Sequence, residues 1–287
     1  MVPCGPTLEQ RKGKLESEIK KLEETPENFA SVALFFGGKP VLGSRGISAE
    51  FAGNMLEQFQ ELVSRTFAKE ELGALGRRGP VPLKQTTQLM VTHVTKGSFG
   101  FVLDEISDQA EIQDTSLKLM VDEVAELLVN TVSPNESDFE RAAESLDART
   151  LVSLKNFFVT LDSSAATLRV VEGNRDISFD SSAIFLGRFR TEATVINEDD
   201  MFETGDLLGF LPEHKKFELR LADGRLIYGS VSKEAVEQFN AMASRGEVAL
   251  GKRWRINVQV RAITQLNRPP RTIYRLLEFS NQVDSNT

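Results

Sequence analysis

From Arg253 to Ala262 the chain alternates without a break. Trp254, Ile256, Val258, Val260 and Ala262 are apolar, and Arg253, Arg255, Asn257, Gln259 and Arg261 between them are cationic or amide side chains. A repeat of two belongs to a strand, because a helix would spread the same apolar set around its axis. One face of this strand must be buried, and the other presents charge and hydrogen-bonding groups.

The flanking segments say what sort of sheet it joins. Gly205–Leu211, Lys215–Ala222 and Arg225–Val231 read as strands, and Asp223 and Gly224 form a two-residue hairpin turn between the last two. Ser232 caps a helix with Ala235, Val236, Phe239 and Met242 on its apolar face. The long strand Lys252–Thr264, a loop containing Pro269 and Pro270, and a strand over Thr272–Phe279 follow. The order β-β-β-α-β-β is that of the oligonucleotide-binding (OB) barrel. An SH3-like or other small barrel has a similar strand count, and strand order is not visible in one sequence. The acidic run Glu198–Asp200 reads as a linker or leading turn.

Upstream, the pattern is α+β. Residues 1–26 contain a charged helix with Leu8, Leu15 and Leu22 in heptad spacing, ended by Pro26, and suited to dimerisation or a protein partner. Residues 28–190 read as a domain of hairpins and helices. A strand over Ala30–Phe36 precedes a helix capped by Ser48, with Phe51, Met55, Phe59, Leu62 and Val63 as its apolar stripe. Residues 69–86 read as a loop. Strands over Leu89–Val94 and Phe99–Leu103 flank a turn at Thr95–Ser98, with Phe99, Phe101 and Leu103 expected on the buried face. Gly100 marks a bulge or a close backbone approach.

Three helices follow, the second opened by a capping box at Ser133 with Pro134 at its first helical position, the third capped by Asp147. A hairpin turning at Gly173–Asn174 and a short helix from Ser181 complete the domain. Residues 200–280 are the small barrel.

The stretches Gly46–Gln60 (GISAEFAGNMLEQFQ) and Lys96–Leu103 (KGSFGFVL) together resemble a group of uncharacterised bacterial proteins. In that group an amphipathic helix is followed by a hairpin with a Gly-Ser-Phe turn, and a small C-terminal barrel carries a Gly-x-Leu strand, as Gly205–Leu211 does. The resemblance implies a bacterial origin. It brings no activity with it, so no catalytic residue is carried over.

Charge divides the chain. The whole carries a net −8, yet residues 201–287 hold 13 Lys and Arg against 10 Asp and Glu. Between Lys252 and Arg275 lie seven basic residues and no acid. Arginine forks match phosphate oxygens, and such a surface holds nucleic-acid backbones through counterion release. The expected contact set for an anionic partner is Arg253, Arg255, Asn257, Gln259 and Arg261, with Lys215, Arg268 and Arg271 at the rim and Tyr228 and Tyr274 available to stack bases. Nucleic acid is the first partner class. Acidic protein surface, including another copy or the acidic N-terminal region, is the second, and Glu213, Glu218, Asp223 and Glu278 are candidate neutralisers.

Lys39 and Arg45, between Gly37 and Gly46 and before a helix, form a candidate anion site, although no GxxxxGK[ST] is present. An enzyme acting on a phosphorylated substrate there is the third reading.

Catalytic constellations are absent from the pattern. His93 and His214 are the two histidines and Cys4 the one cysteine, which makes neither a disulfide nor a standard zinc site. No GxSxG or dinucleotide fingerprint occurs, and no cofactor or metal is expected. The N-terminus lacks a signal-peptide core, and no apolar run reaches the roughly 20 residues of a spanning helix. The expectation is a cytoplasmic binding protein.

Overall fold

The computed structural model describes residues 28–72, 79–95, 99–106, 113–247, 249–266 and 268–283. The helix expected within residues 1–26 and the turn expected at Thr95–Ser98 lie wholly or mostly outside the described residues. The fold is mixed α+β with two five-stranded sheets, and the chain divides into two compact units. No described helix is long and apolar enough to cross a membrane.

The first unit takes in residues up to Phe67, Val81–Val132 and Asn156–Phe185. Its sheet is antiparallel throughout, in the order β2-β3-β1-β4-β5. The strands are β1 (Ser31–Gly38), β2 (Met90–Thr95), β3 (Phe99–Asp104), β4 (Ala166–Glu172) and β5 (Arg175–Phe179). The two hairpins legible in sequence flank β1, which pairs with β3 and β4 at long sequence separation.

Ser48 caps α1 (Ala49–Leu72), its Oγ accepting from the Phe51 amide at 3.4 Å. The α1 stripe is buried as expected: Met55, Phe59, Leu62 and Val63 lose all contact with water, and Phe51 packs edge-on against Phe36. Helix α2 (Ser116–Val132) buries Leu117, Val121, Val124 and Leu128.

In β3 the expected alternation is only partly met. Gly100, Val102 and Leu103 are buried, while Phe99 and Phe101 are half-buried. The strand lies inside the sheet between β1 and β2, and the face that carries Gly100 and Val102 is the more buried one. Gly100 faces the Phe35 ring so closely that a Cβ there would collide with it, which is the close approach the glycine signals.

The second unit joins Ala68–Pro80, Ser133–Lys155 and Leu186–Thr287. It contains α3 (Glu136–Ser145), the first half of α4 (Ala148–Ser163), the end of α5 (Ser181–Glu192), and the second sheet. Asp147 caps α4 as read from sequence, accepting from the Thr150 amide at 2.6 Å. The α3 cap differs from the expectation. Asn135, in extended backbone, accepts from the Ser137 amide at 3.3 Å, and Ser133 instead bridges the Asn135 amide and Asp138. The helix thus begins two residues after Pro134.

The second sheet closes on itself. Its strands are β6 (Val195–Leu211), β7 (Lys216–Leu221), β8 (Leu226–Val231), β9 (Arg253–Thr264) and β10 (Arg271–Gln282), with α6 (Lys233–Ser244) between β8 and β9. The ring runs β6-β7-β8-β10-β9 and back to β6. All pairs are antiparallel except β8 with β10. Strand β6 begins ten residues before the expected Gly205, so Glu198–Asp200 is strand and no linker. Its register runs from Val195 opposite Thr264 to Asp206 opposite Arg253.

The apolar face of β9 fills the barrel over its first half, whereas Val260 and Ala262 are only half-buried. Trp254, Ile256 and Val258 are buried with Leu207, Phe217, Leu219 and Leu276. The indole Nε1 donates to the Ala249 carbonyl at 2.9 Å, and Trp254 meets Phe279 edge-on. Gly224 takes the positive φ of the predicted turn, and Ser232 caps α6.

The parallel pair is drawn tight at Gly229, where a Cβ would run into the backbone of Tyr274. Gly229→Ala is expected to force β8 and β10 apart and cost about 1–3 kcal/mol, the usual range for overpacking. A urea unfolding midpoint within error of wild type would refute this.

Candidate functional site

The polar face of β9 does not lie open along its length. Arg255 is exposed and stacks over the Phe202 ring at 4.6 Å. Arg253 is half-buried and pairs with Asp206 on β6 at 3.1 Å. Asn257, also half-buried, donates to Glu278 at 3.4 Å. Further along, Gln259 and Arg261 are each only 8% exposed.

Helix α3 accounts for much of that cover. Glu136, Glu140 and Glu144 recur every four residues, which places them along one side of the helix. Arg268 binds Glu136 and, at 2.7 Å, Glu140. Arg271 bridges Glu140 at 3.1 Å and Glu144. Arg261 donates from Nε to Glu198 at 2.9 Å and from Nη1 to the Glu144 carbonyl at 3.1 Å. These carboxylates, with Asp206, are the partners of the basic strip. Of the acids expected from sequence, Asp223 pairs with Arg225 inside its own turn, and Glu278 meets Asn257. The spacing of Glu136, Glu140 and Glu144 was the available signal: it sets a one-sided row of carboxylates on a short helix, a surface that cations opposite can pair with.

Tyr274 is half-buried and packs against the barrel core. Lys215 is exposed in the β7 leading turn with positive φ. Lys39 and Arg45 are both exposed on the loop before α1, closed by the Val41–Ile47 bridge. The His93 and His214 side chains are exposed, and the described residues hold no cluster of three metal-binding side chains.

Tyr228 is placed differently. It stands on the outer face of β8 and is 76% exposed. The register builds three rows across this face: Leu211, Lys216 and Ser230; Gly209, Glu218 and Tyr228; Asp206, Arg220 and Leu226. Lys216 and Arg220 are therefore diagonal neighbours of Tyr228, within reach of long side chains. Gly209 leaves the far end of the central row bare. Arg220 lies 3.5 Å from Asp206. The face offers one aromatic plane, two cations and two carboxylates.

No family model matches the chain, and comparison with curated proteins and with solved structures finds no match.

Proposed function

We propose that this is a binding protein whose C-terminal barrel is of the OB type and holds an anionic partner, single-stranded nucleic acid, across the outer face of β6, β7 and β8. The OB reading rests on the strand order 1-2-3-5-4-1, on the parallel third and fifth strands, and on the helix between the third and fourth. In that fold the second and third strands and their loops are the usual oligonucleotide surface. Tyr228 is the observation that carries the proposal: a large ring left in water in the middle of that surface, with Lys216 and Arg220 diagonal to it. Base stacking on such a ring contributes about 1–3 kcal/mol and tolerates any base. Arg255 extends the cationic path on β9, while Arg261, Arg268 and Arg271 serve mainly to hold α3.

Fluorescence polarisation of labelled single-stranded DNA and RNA tests this. Binding should weaken steeply between about 50 and 200 mM salt. Tyr228→Ala should lower affinity by about 5- to 100-fold, and Lys216→Ala with Arg220→Ala should flatten the salt dependence. Absence of binding at the lower salt, or an unaffected Tyr228→Ala, would sink the nucleic-acid reading. The exposed Leu208, Leu211 and Leu226 on the same face favour a protein-interaction component as the second reading. In that case light scattering would report a mass above the monomer that Tyr228→Ala and Leu226→Ser reduce.

A further inference from the structure

Beside the α3 clamp lies a cavity of 190 Å³ bounded by the end of α1, the end of α3, and the outer sides of β8, β9 and β10. Lys69, Arg261 and Arg275 line it with Ser230 and Gln259. Glu144 is the carboxylate among its lining residues, and Arg271 binds it. Arg261 is committed to Glu198, and Lys69 donates to the Ser145 carbonyl.

Arg275 has no such match. Its Nε is buried without a hydrogen-bond partner, and so is Oε1 of Gln259, a side chain more than nine-tenths buried. Burial, and after it repulsion from Arg261, pull the Arg275 guanidinium below its ordinary value despite the weaker opposing pull of Glu234 and Glu70. A partly desolvated cation beside a second cation calls for an anion.

We infer that this cavity is a binding site for a phosphate group, either the free ion or the end of a phosphate monoester. The guanidinium fork of Arg275 suits two phosphate oxygens, and the Lys69 ammonium supplies a point charge on the same wall. The Gln259 amide offers a donor and an acceptor, which matches a singly protonated phosphate carrying both O⁻ and OH. A carboxylate could satisfy the fork but has no hydroxyl to donate to Oε1. The site stands on residues other than Tyr228, Lys216 and Arg220, so it does not depend on the nucleic-acid proposal.

Thermal unfolding in about 20 mM inorganic phosphate, against chloride at equal ionic strength, reads the site directly. Wild type should gain about 2–4 °C in phosphate. Arg275→Met and Gln259→Leu should each abolish the gain, and Tyr228→Ala should keep it. Phenyl phosphate separates the sources: a gain equal to that of phosphate assigns a monoester end, whereas a gain from phosphate alone assigns the free ion. Equal midpoints in phosphate and chloride would overturn the inference, as would a gain that Gln259→Leu retains. Should Arg275→Met fail to fold, Gln259→Leu and broadening of the ³¹P phosphate resonance give the same decision.

Discussion

Glu198→Ala is expected to lower the stability of the barrel unit by about 3–5 kcal/mol. Glu198 and Arg261 are direct cross-strand neighbours on β6 and β9, each 8% exposed, joined at 2.9 Å. Deleting the carboxylate leaves a buried guanidinium held by the Glu144 carbonyl alone, 3.1 Å away, with Arg275 repelling it from the side. The pair need not be a large net stabiliser to produce this loss, since desolvating both ions offsets much of their attraction. The cost arises from removing one partner and leaving the other.

The double variant separates the two meanings. Glu198→Leu with Arg261→Met should recover most of the lost stability, because a packed apolar pair carries no desolvation penalty. Urea midpoints with unchanged m-values would report it. A single-variant loss below about 1 kcal/mol, the range of an exposed pair, would mean that water reaches Arg261.

This pair also shows where sequence reading stops. The caps at Ser48, Asp147 and Ser232, the turns at Gly173 and Gly224, and the buried stripe of β9 are local signals, set by residues a few positions apart. Those elements were legible. Glu198 was not, because adjacent carboxylates have poor strand propensity and read as a linker. It becomes strand through the ladder with β9, 63 residues downstream. Strict alternation in β9 announced two faces, one apolar and one polar. It carried no information on what covers the polar one.

The cover is α3, and its signal lay in a different part of the chain, in the four-residue spacing of Glu136, Glu140 and Glu144. Of the expected contact residues, Arg261, Arg268 and Arg271 meet that helix or its carboxylates, Gln259 and Arg261 line the cavity beside it, and Arg255 and Tyr228 remain exposed to solvent. Composition could name the cations. Pairing decided which of them remain available to a partner.

In the first unit, stability should fall as pH rises from acid to neutral, and Glu172→Gln should remove that fall. Glu172 ends β4, is 6% exposed, and hydrogen-bonds Asp122 of α2. Burial, then the hydrogen bond and charge of Asp122, push its carboxyl from 4.5 up to about 7, against the opposing pull of Arg175 and Lys118. Between those two values the folded chain holds a proton that the unfolded chain has released. Stability therefore declines with rising pH across that window and levels off above it, with a ceiling of about 3 kcal/mol. Below 4.5 both states are protonated and the group contributes no pH dependence. An amide in place of the Glu172 carboxyl would keep a donor to Asp122 and carry no charge at any pH. The variant should match wild type near pH 4 and exceed it near pH 8.5 by about 1–3 kcal/mol. Asp122→Asn should act in the same direction by removing the facing charge, whereas Arg175→Gln should deepen the decline and extend it to higher pH. A Glu172→Gln gain that is the same at both pH values would trace the effect to packing and exclude the carboxyl pair as its source.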